Sequence, residues 1–461
     1  MKKLELDLRK FYLNKVDVLL LILSILSINN TNEILAQIIG LSFLLLAIFF
    51  LFRKKYESYF IILLLNSYQS NGYGLYNLDL IGLSPIYLTQ LLLLFLNIKS
   101  IRLSKRLITN FPLIIFLPIS IIVGLFNFID SSYYLKDISR FFIFFSSLFI
   151  FVIPEIRFNY LNSFLKYTLF LFPLLLIFNA ILSPDFTLGQ ELNYFFDETS
   201  SVFIILWFSF LYHFRIKYKI LCWSLFIFLI YLKISFFYFS TIELLALIIL
   251  ILIINLKYIK SLKYIFKNAI IIIAFLFCAS YLIKFIPNFT IFKFSQLLET
   301  FLVLFNGIDF ITLMPFSPKI RVLEFLNSYA DLYSKSYFNL FFGNGFGSFF
   351  QFNFYPVENY GIQTLYDTGS FTDKEITQNK FFTGHNTLSF ILIKMGLLSV
   401  LVFLRLFIIS IYKYIRSVSG DPLVPVFSIY ILMNLGYGNK NFILISFMIC
   451  YLIFNKKVKY A

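Results

Sequence analysis

The chain has 461 residues, of which 60% are hydrophobic and 13% charged, with a mean hydropathy of +0.86 and a formal net charge of +16. So apolar a composition excludes an ordinary soluble domain. The basic excess resolves into short clusters between apolar runs, which excludes nucleic acid as a partner.

Taken in order, apolar runs fall at roughly 16–28, 34–52, 58–68, 80–98, 111–128, 140–153, 161–182, 199–213, 220–237, 240–256, 265–285, 386–404, 424–436 and 441–454. By length these predict an all-α, polytopic membrane bundle of about 12–14 transmembrane helices. The start Met1-Lys2-Lys3 is followed by acidic residues with no small-residue cleavage site before the second run, so no removed signal peptide is expected. Arg53-Lys54-Lys55, then Lys99, Arg102, Lys105 and Arg106, then Arg215, Lys217 and Lys219, then Lys257, Lys260, Lys263 and Lys267 occupy alternate loops. Loops 29–33, 69–79 and 183–198 hold no Lys or Arg. The positive-inside rule therefore predicts cytoplasmic termini. It divides the single membrane domain into N-terminal helices over 1–285, a large outer loop over 286–383 with amphipathic helices, and C-terminal helices over 384–461.

Within the outer loop, Ser317-Pro318 reads as an N-cap and first-turn proline. The helix that follows is expected to carry an apolar stripe of Val322, Phe325, Leu326, Tyr329, Leu332 and Tyr333. Arg321, Glu324, Ser328, Asp331 and Lys335 line the other face, so the helix suits a membrane surface. Gly343-Asn344-Gly345-Phe346-Gly347-Ser348 is expected to end it as a turn. Cys222, Cys278 and Cys450 lie within or beside apolar runs and read as small buried hydrophobes, not as a disulfide or zinc set.

The residues fit for chemistry gather at the outer face. His385, in Gly384-His385-Asn386-Thr387, stands where the polar segment meets an apolar helix, and a histidine there can take a proton from a hydroxyl. The helix beginning at Asn386 offers unpaired N–H groups to an anion. Arg140 lies in Lys136-Asp137-Ile138-Ser139-Arg140, where it pairs with Asp137, snorkels to phospholipid headgroups or clamps a phosphate with its planar fork. Arg321 either pairs with Glu324 or serves as a second clamp. His385 is thus the catalytic candidate, and Arg140, Arg321, Asn386 and Lys136 are the substrate-binding ones. His213, Lys233, Glu191, Glu243 and the pair Asp197-Glu198 read as solvated or mutually neutralised. No P-loop, HExxH pair or CxxC set occurs, so neither metal nor cofactor is expected.

Three pieces together resemble the bacterial O-antigen polymerases and O-antigen ligases. They are Arg321 through Gly343-Asn344-Gly345-Phe346-Gly347-Ser348-Phe349, then Gly384-His385-Asn386-Thr387 with Met395-Gly396-Leu397-Leu398, and more weakly Asp137-Ile138-Ser139-Arg140. The motifs cover about a quarter of the chain. Where many relatives have Ser-Arg-Gly before a span this one has Ser240-Thr241-Ile242-Glu243, which tilts the resemblance away from the ligases. The resemblance implies a metal-independent glycosyltransferase of the bacterial inner membrane that polymerises a surface polysaccharide. Its donor would be an oligosaccharide on undecaprenyl diphosphate, its acceptor the hydroxyl of another lipid-linked repeat, and its protein partner a separate chain-length regulator, with membrane lipid around it. An O-antigen ligase that hands the glycan to lipid A-core, and a flippase for the same lipid-linked sugar, are the rival readings.

Overall fold

The computed structural model describes residues 14–28, 33–66, 85–101, 105–128, 132–182, 223–229, 249–254, 310–362, 371, 373–382, 387–416, 421, 423–434 and 442–454, with isolated positions between 206 and 299. The expected spans at 199–213, 220–237, 240–256 and 265–285 lie wholly or largely outside them, as do Cys222, Cys278, His213, Lys233, Glu191, Glu243 and Asp197-Glu198. The described chain is all-α. Its helices are α1 (Lys15–Ile28), α2 (Glu33–Phe52), α3 (Tyr56–Asn66), α4 (Pro85–Leu96), α5 (Lys105–Asn110), α6 (Leu113–Phe128), α7 (Ser132–Val152), α8 (Pro154–Lys166) and α9 (Phe172–Leu182). After these come α10 (Phe316–Lys335), α11 (Tyr337–Phe342), α12 (Asp373–Gln378), α13 (Thr387–Arg416), α14 (Leu423–Asn434) and α15 (Phe442–Phe454). No strand occurs among the described residues, only the isolated bridge between Phe350 and Phe381.

Apart from α5 and most of α8, each of these helices lies on one of the apolar runs or within 286–383, because an apolar run satisfies its backbone most cheaply as a helix. One of them, Leu388–Arg416 within α13, is long and apolar enough by itself to cross a membrane. Ser132–Val152 and Pro154–Leu175 meet that test only together and are bent by 105° at the break between them. Ile38–Phe52, Tyr56–Leu65, Leu113–Phe128 and Ile443–Phe454 are shorter apolar helices.

Aromatic packing joins the first and last parts of the chain. Phe60 of α3 meets Tyr160 of α8 at 4.7 Å between ring centroids, and Phe447 of α15 lies 4.4 Å from Tyr160 and 5.5 Å from Phe151 of α7. Two side-chain bonds fix the direction of the α7–α15 pair: Ser446 Oγ donates to the Phe144 carbonyl at 2.9 Å, and Cys450 Sγ to that of Leu148 at 3.4 Å. Both numbers advance by one turn together, so α7 and α15 run parallel. At the α7 C-terminal end Arg157 and Arg106 lie 4.9 and 5.7 Å over the Phe454 ring, and the Tyr451 hydroxyl donates to Asp421 at 2.6 Å. The ammonium of Lys166 ties together Asp17, at 3.6 Å, and Glu57, so the first turns of α1 and α3 meet one level of α8.

The outer-segment helix α10 departs from its expected amphipathicity. It starts at Phe316 with Pro315 preceding it, so Ser317 lies inside the helix instead of capping it. Its buried face is Ile320, Leu323, Glu324, Asn327, Ser328 and Leu332, while Tyr329 and Tyr333, assigned to the apolar stripe, are 39% and 54% exposed. Residue spacing alone could not see that polar side chains are needed inside. Asn327 accepts from the Phe354 and Tyr355 N–H groups at 3.1 and 2.9 Å and donates to the Tyr355 carbonyl at 2.9 Å, clamping a loop that has no secondary structure of its own. Replacing Asn327 by Leu strands those loop groups in a buried site and is expected to cost about 1–3 kcal/mol. A lowered unfolding midpoint, with new protease cleavage at 352–355, is the result to look for.

Candidate functional site

The glycine turn is not a water-facing loop. Gly343 to Ser348 are all buried, threaded between α6, α7 and α13. Glycine is required where backbones touch: a Cβ on Gly345 would lie 2.3 Å from the Gly124 nitrogen, and one on Gly124 would lie 2.5 Å from the Phe346 carbonyl oxygen. Irregular backbone in such a place must find partners for its polar groups. The Asn344 N–H donates to the Ile393 carbonyl at 2.9 Å, the Phe346 N–H to the Ser120 carbonyl at 3.0 Å, and the Gly347 N–H to Asp137 Oδ2 at 2.8 Å. The Phe346 ring stacks on Phe141 of α7 at 4.7 Å, and Phe141 on Phe390 of α13 at 5.8 Å.

A buried ion pair locks this arrangement. Lys394 Nζ lies 2.8 Å from Asp137 Oδ2, with the two side chains 0% and 3% exposed, and the same ammonium donates to the Ser348 carbonyl. Asp137 therefore faces both Lys394 of α13 and the turn. A lone lysine inside an otherwise apolar run was the available signal for Lys394, since such a charge needs a partner. Nothing in the sequence pointed to which one.

Above the lock lies an aromatic and basic rim. Tyr133, in the first turn of α7, stacks face to face on Phe382, with centroids 3.6 Å apart and planes 3° from parallel. Phe349 meets Phe382 edge-on at 5.5 Å, the Lys136 ammonium lies 5.6 Å over Tyr133, and the Lys380 ammonium lies 5.1 Å over Phe349. Such a rim attracts an anion while offering apolar ring faces beside it. Lys380 had no sequence signal at all. Phe382, three residues before His385 in the chain, is thus held against the first turn of α7, which is followed by Lys136 and, one turn on, by the backbone of Arg140. Arg321 is half-buried on α10 beside Ile320 and Leu323, which share a small core with Phe350, Phe381 and Ile393. On the same helix burial holds the Lys319 ammonium below its ordinary pKa while it donates to the Tyr360 carbonyl at 2.8 Å.

The structure thus brings together the segments that carry Lys136, Arg140 and Arg321 and the chain leading into His385. His385 and Asn386 themselves, and the side chain of Arg140, lie outside the described residues. No family model, no curated protein and no solved structure matches the chain.

Proposed function

We propose that the chain is a multi-pass protein of the bacterial inner membrane, both termini cytoplasmic, that polymerises a surface polysaccharide from repeats carried on undecaprenyl diphosphate. Its helix directions support the membrane reading. Alternating basic loops require spans six and fourteen to run the same way, and α7 and α15 are parallel. The same alternation requires the first turns of spans one and three to share a side, and Lys166 bridges Asp17 and Glu57. Arg106, Arg157 and Asp421 then fall on the cytoplasmic side, and the glycine turn on the outer side.

The chemistry rests on the convergence around the turn. The acceptor hydroxyl oxygen attacks the anomeric carbon of the donor, the carbon–oxygen bond to the diphosphate breaks, and undecaprenyl diphosphate departs with the bonding pair. His385 takes the hydroxyl proton. Lys136, Arg140 and Arg321, with the N–H groups at Asn386, hold the charge that grows on the diphosphate. Direct displacement inverts the anomeric centre. The single observation that carries the reading is the Tyr133–Phe382 stack, which joins the cation-bearing turn of α7 to the segment entering His385.

His385→Ala, inserted at the wild-type level, is expected to lower glycan transfer by about 10²–10⁴-fold, the usual share of a positioned base. A gel of surface glycans reads it, and undiminished polymer in that strain would end the proposal. The deletion strain separates the rival: single-repeat surface lipid marks a lost polymerase, long glycan left on undecaprenyl diphosphate marks a lost ligase.

A further inference from the structure

We propose that α11 and the glycine turn re-enter the membrane from its outer side, and that Tyr337, Phe338 and Phe341 dock against the acyl chains of the outer leaflet. This rests on the membrane reading given above and goes beyond it, because that reading places 286–383 as a loop outside the bilayer.

The Phe342 ring lies 6.2 Å from Phe116, the Phe346 N–H donates to the Ser120 carbonyl, Gly345 abuts Gly124, and a Cβ on Gly347 would lie 2.8 Å from the Phe128 Cβ. Phe116, Ser120, Gly124 and Phe128 follow at four-residue steps along one face of α6. Residues 342–347 therefore climb α6 by three turns, a rise of about 18 Å that ends at its outer terminus. On α13 the turn begins opposite Gly396, nine residues or about 13 Å below the first helical residue. Either measure puts α11 deep within a hydrocarbon layer about 30 Å thick, of which the outer leaflet is half.

The surface at that depth is apolar. Phe338 is 53% and Phe341 40% exposed. Above them the rings of Tyr337, Tyr333 and Tyr329 contact one another in sequence, at 5.9 and 6.3 Å. Such a ladder suits a border where one end of the ring is wet and the other in lipid. Non-helical backbone survives at membrane depth only where protein satisfies its polar groups. The bonds from the turn to Ser120, Ile393 and Asp137 do this, which gives the Asp137–Lys394 pair its place in the fold.

Tryptophan quenching in proteoliposomes tests the depth. In a Trp207→Phe, Trp223→Phe background, Phe338→Trp is expected to lose most of its emission to dibrominated phosphatidylcholine and to resist aqueous iodide. Ile408→Trp, on the exposed side of α13, is the reference for a spanning helix. If iodide reaches position 338 while bromolipid quenches 408, re-entry is wrong and the membrane reading stands. If neither quencher reaches 338, protein covers the face and the proposal also fails. An Ile408→Trp that bromolipid leaves bright would refute the membrane reading itself. A second measurement spares both tryptophans: in intact cells, with the native cysteines replaced by alanine, Phe341→Cys should stay unlabelled by an impermeant maleimide while Glu358→Cys reacts. A reactive Phe341→Cys, or an unreactive Glu358→Cys, overturns the proposal.

Discussion

Lys394→Met is expected to destabilise the protein by about 3–5 kcal/mol, the range for removing one partner of a buried ion pair. The Asp137 carboxylate would remain almost wholly buried, with the Gly347 N–H as its one donor among the described residues. Asp137→Asn should cost a similar amount, since it removes the carboxylate counter-charge from the buried ammonium instead. The double variant Asp137→Asn, Lys394→Met is expected to regain much of the loss, because it leaves no uncompensated charge and the Asn carbonyl can still accept from Gly347. Unfolding midpoints in detergent for the two singles and the double form a cycle whose coupling energy reads the pair directly. Single variants as stable as the wild type would show that the pair does not hold α7, α13 and the turn together.

The second large effect is at Gly396. There α13 breaks, with φ 78° and ψ 178°, a backbone region essentially confined to glycine. A Cβ would also lie 2.3 Å from the Phe341 carbonyl oxygen and 2.4 Å from the Phe342 nitrogen. Gly396→Ala therefore combines backbone strain of about 1–3 kcal/mol with overpacking of another 1–3 kcal/mol. Gly361→Ala separates the two costs, because Gly361 has φ 76° and no atom within 4 Å of a built Cβ. It should cost only about 1–2 kcal/mol. Equal midpoints for the two alanine variants would mean that α11 does not press on α13 as described. If the break serves to seat the turn, Gly396→Ala should also lower glycan transfer where Gly361→Ala leaves it unchanged.

Much of the helical layout was legible in the sequence. Apolar runs place α1–α4, α6, α14 and α15 within a few residues, because a long apolar segment satisfies its backbone within itself and needs no partner to be a helix. By contrast, α7 begins eight residues before its run, α9 fills only the second half of 161–182 and α13 continues twelve residues past 404. The grouping of basic residues on alternate loops also fixed which helices should be parallel, a relation seen between α7 and α15. The amphipathic reading of α10 failed at Glu324, Asn327 and Ser328, since periodicity sorts residues by polarity and cannot register that a loop 28 positions away needs donors and acceptors.

Of the candidate site, sequence alone determined the cationic candidates and the chain leading into the histidine, although Arg140 and Arg321 lie inside α7 and α10 and not at a helix end. Only the tertiary structure decided that Asp137 belongs to Lys394, that Lys380 joins the rim and that the glycine turn is buried. The physical reason is range. Helix formation and loop charge are settled among near neighbours, whereas a buried charge and a bare stretch of backbone take partners from wherever the fold brings them, here more than two hundred residues apart between Asp137 and Gly347.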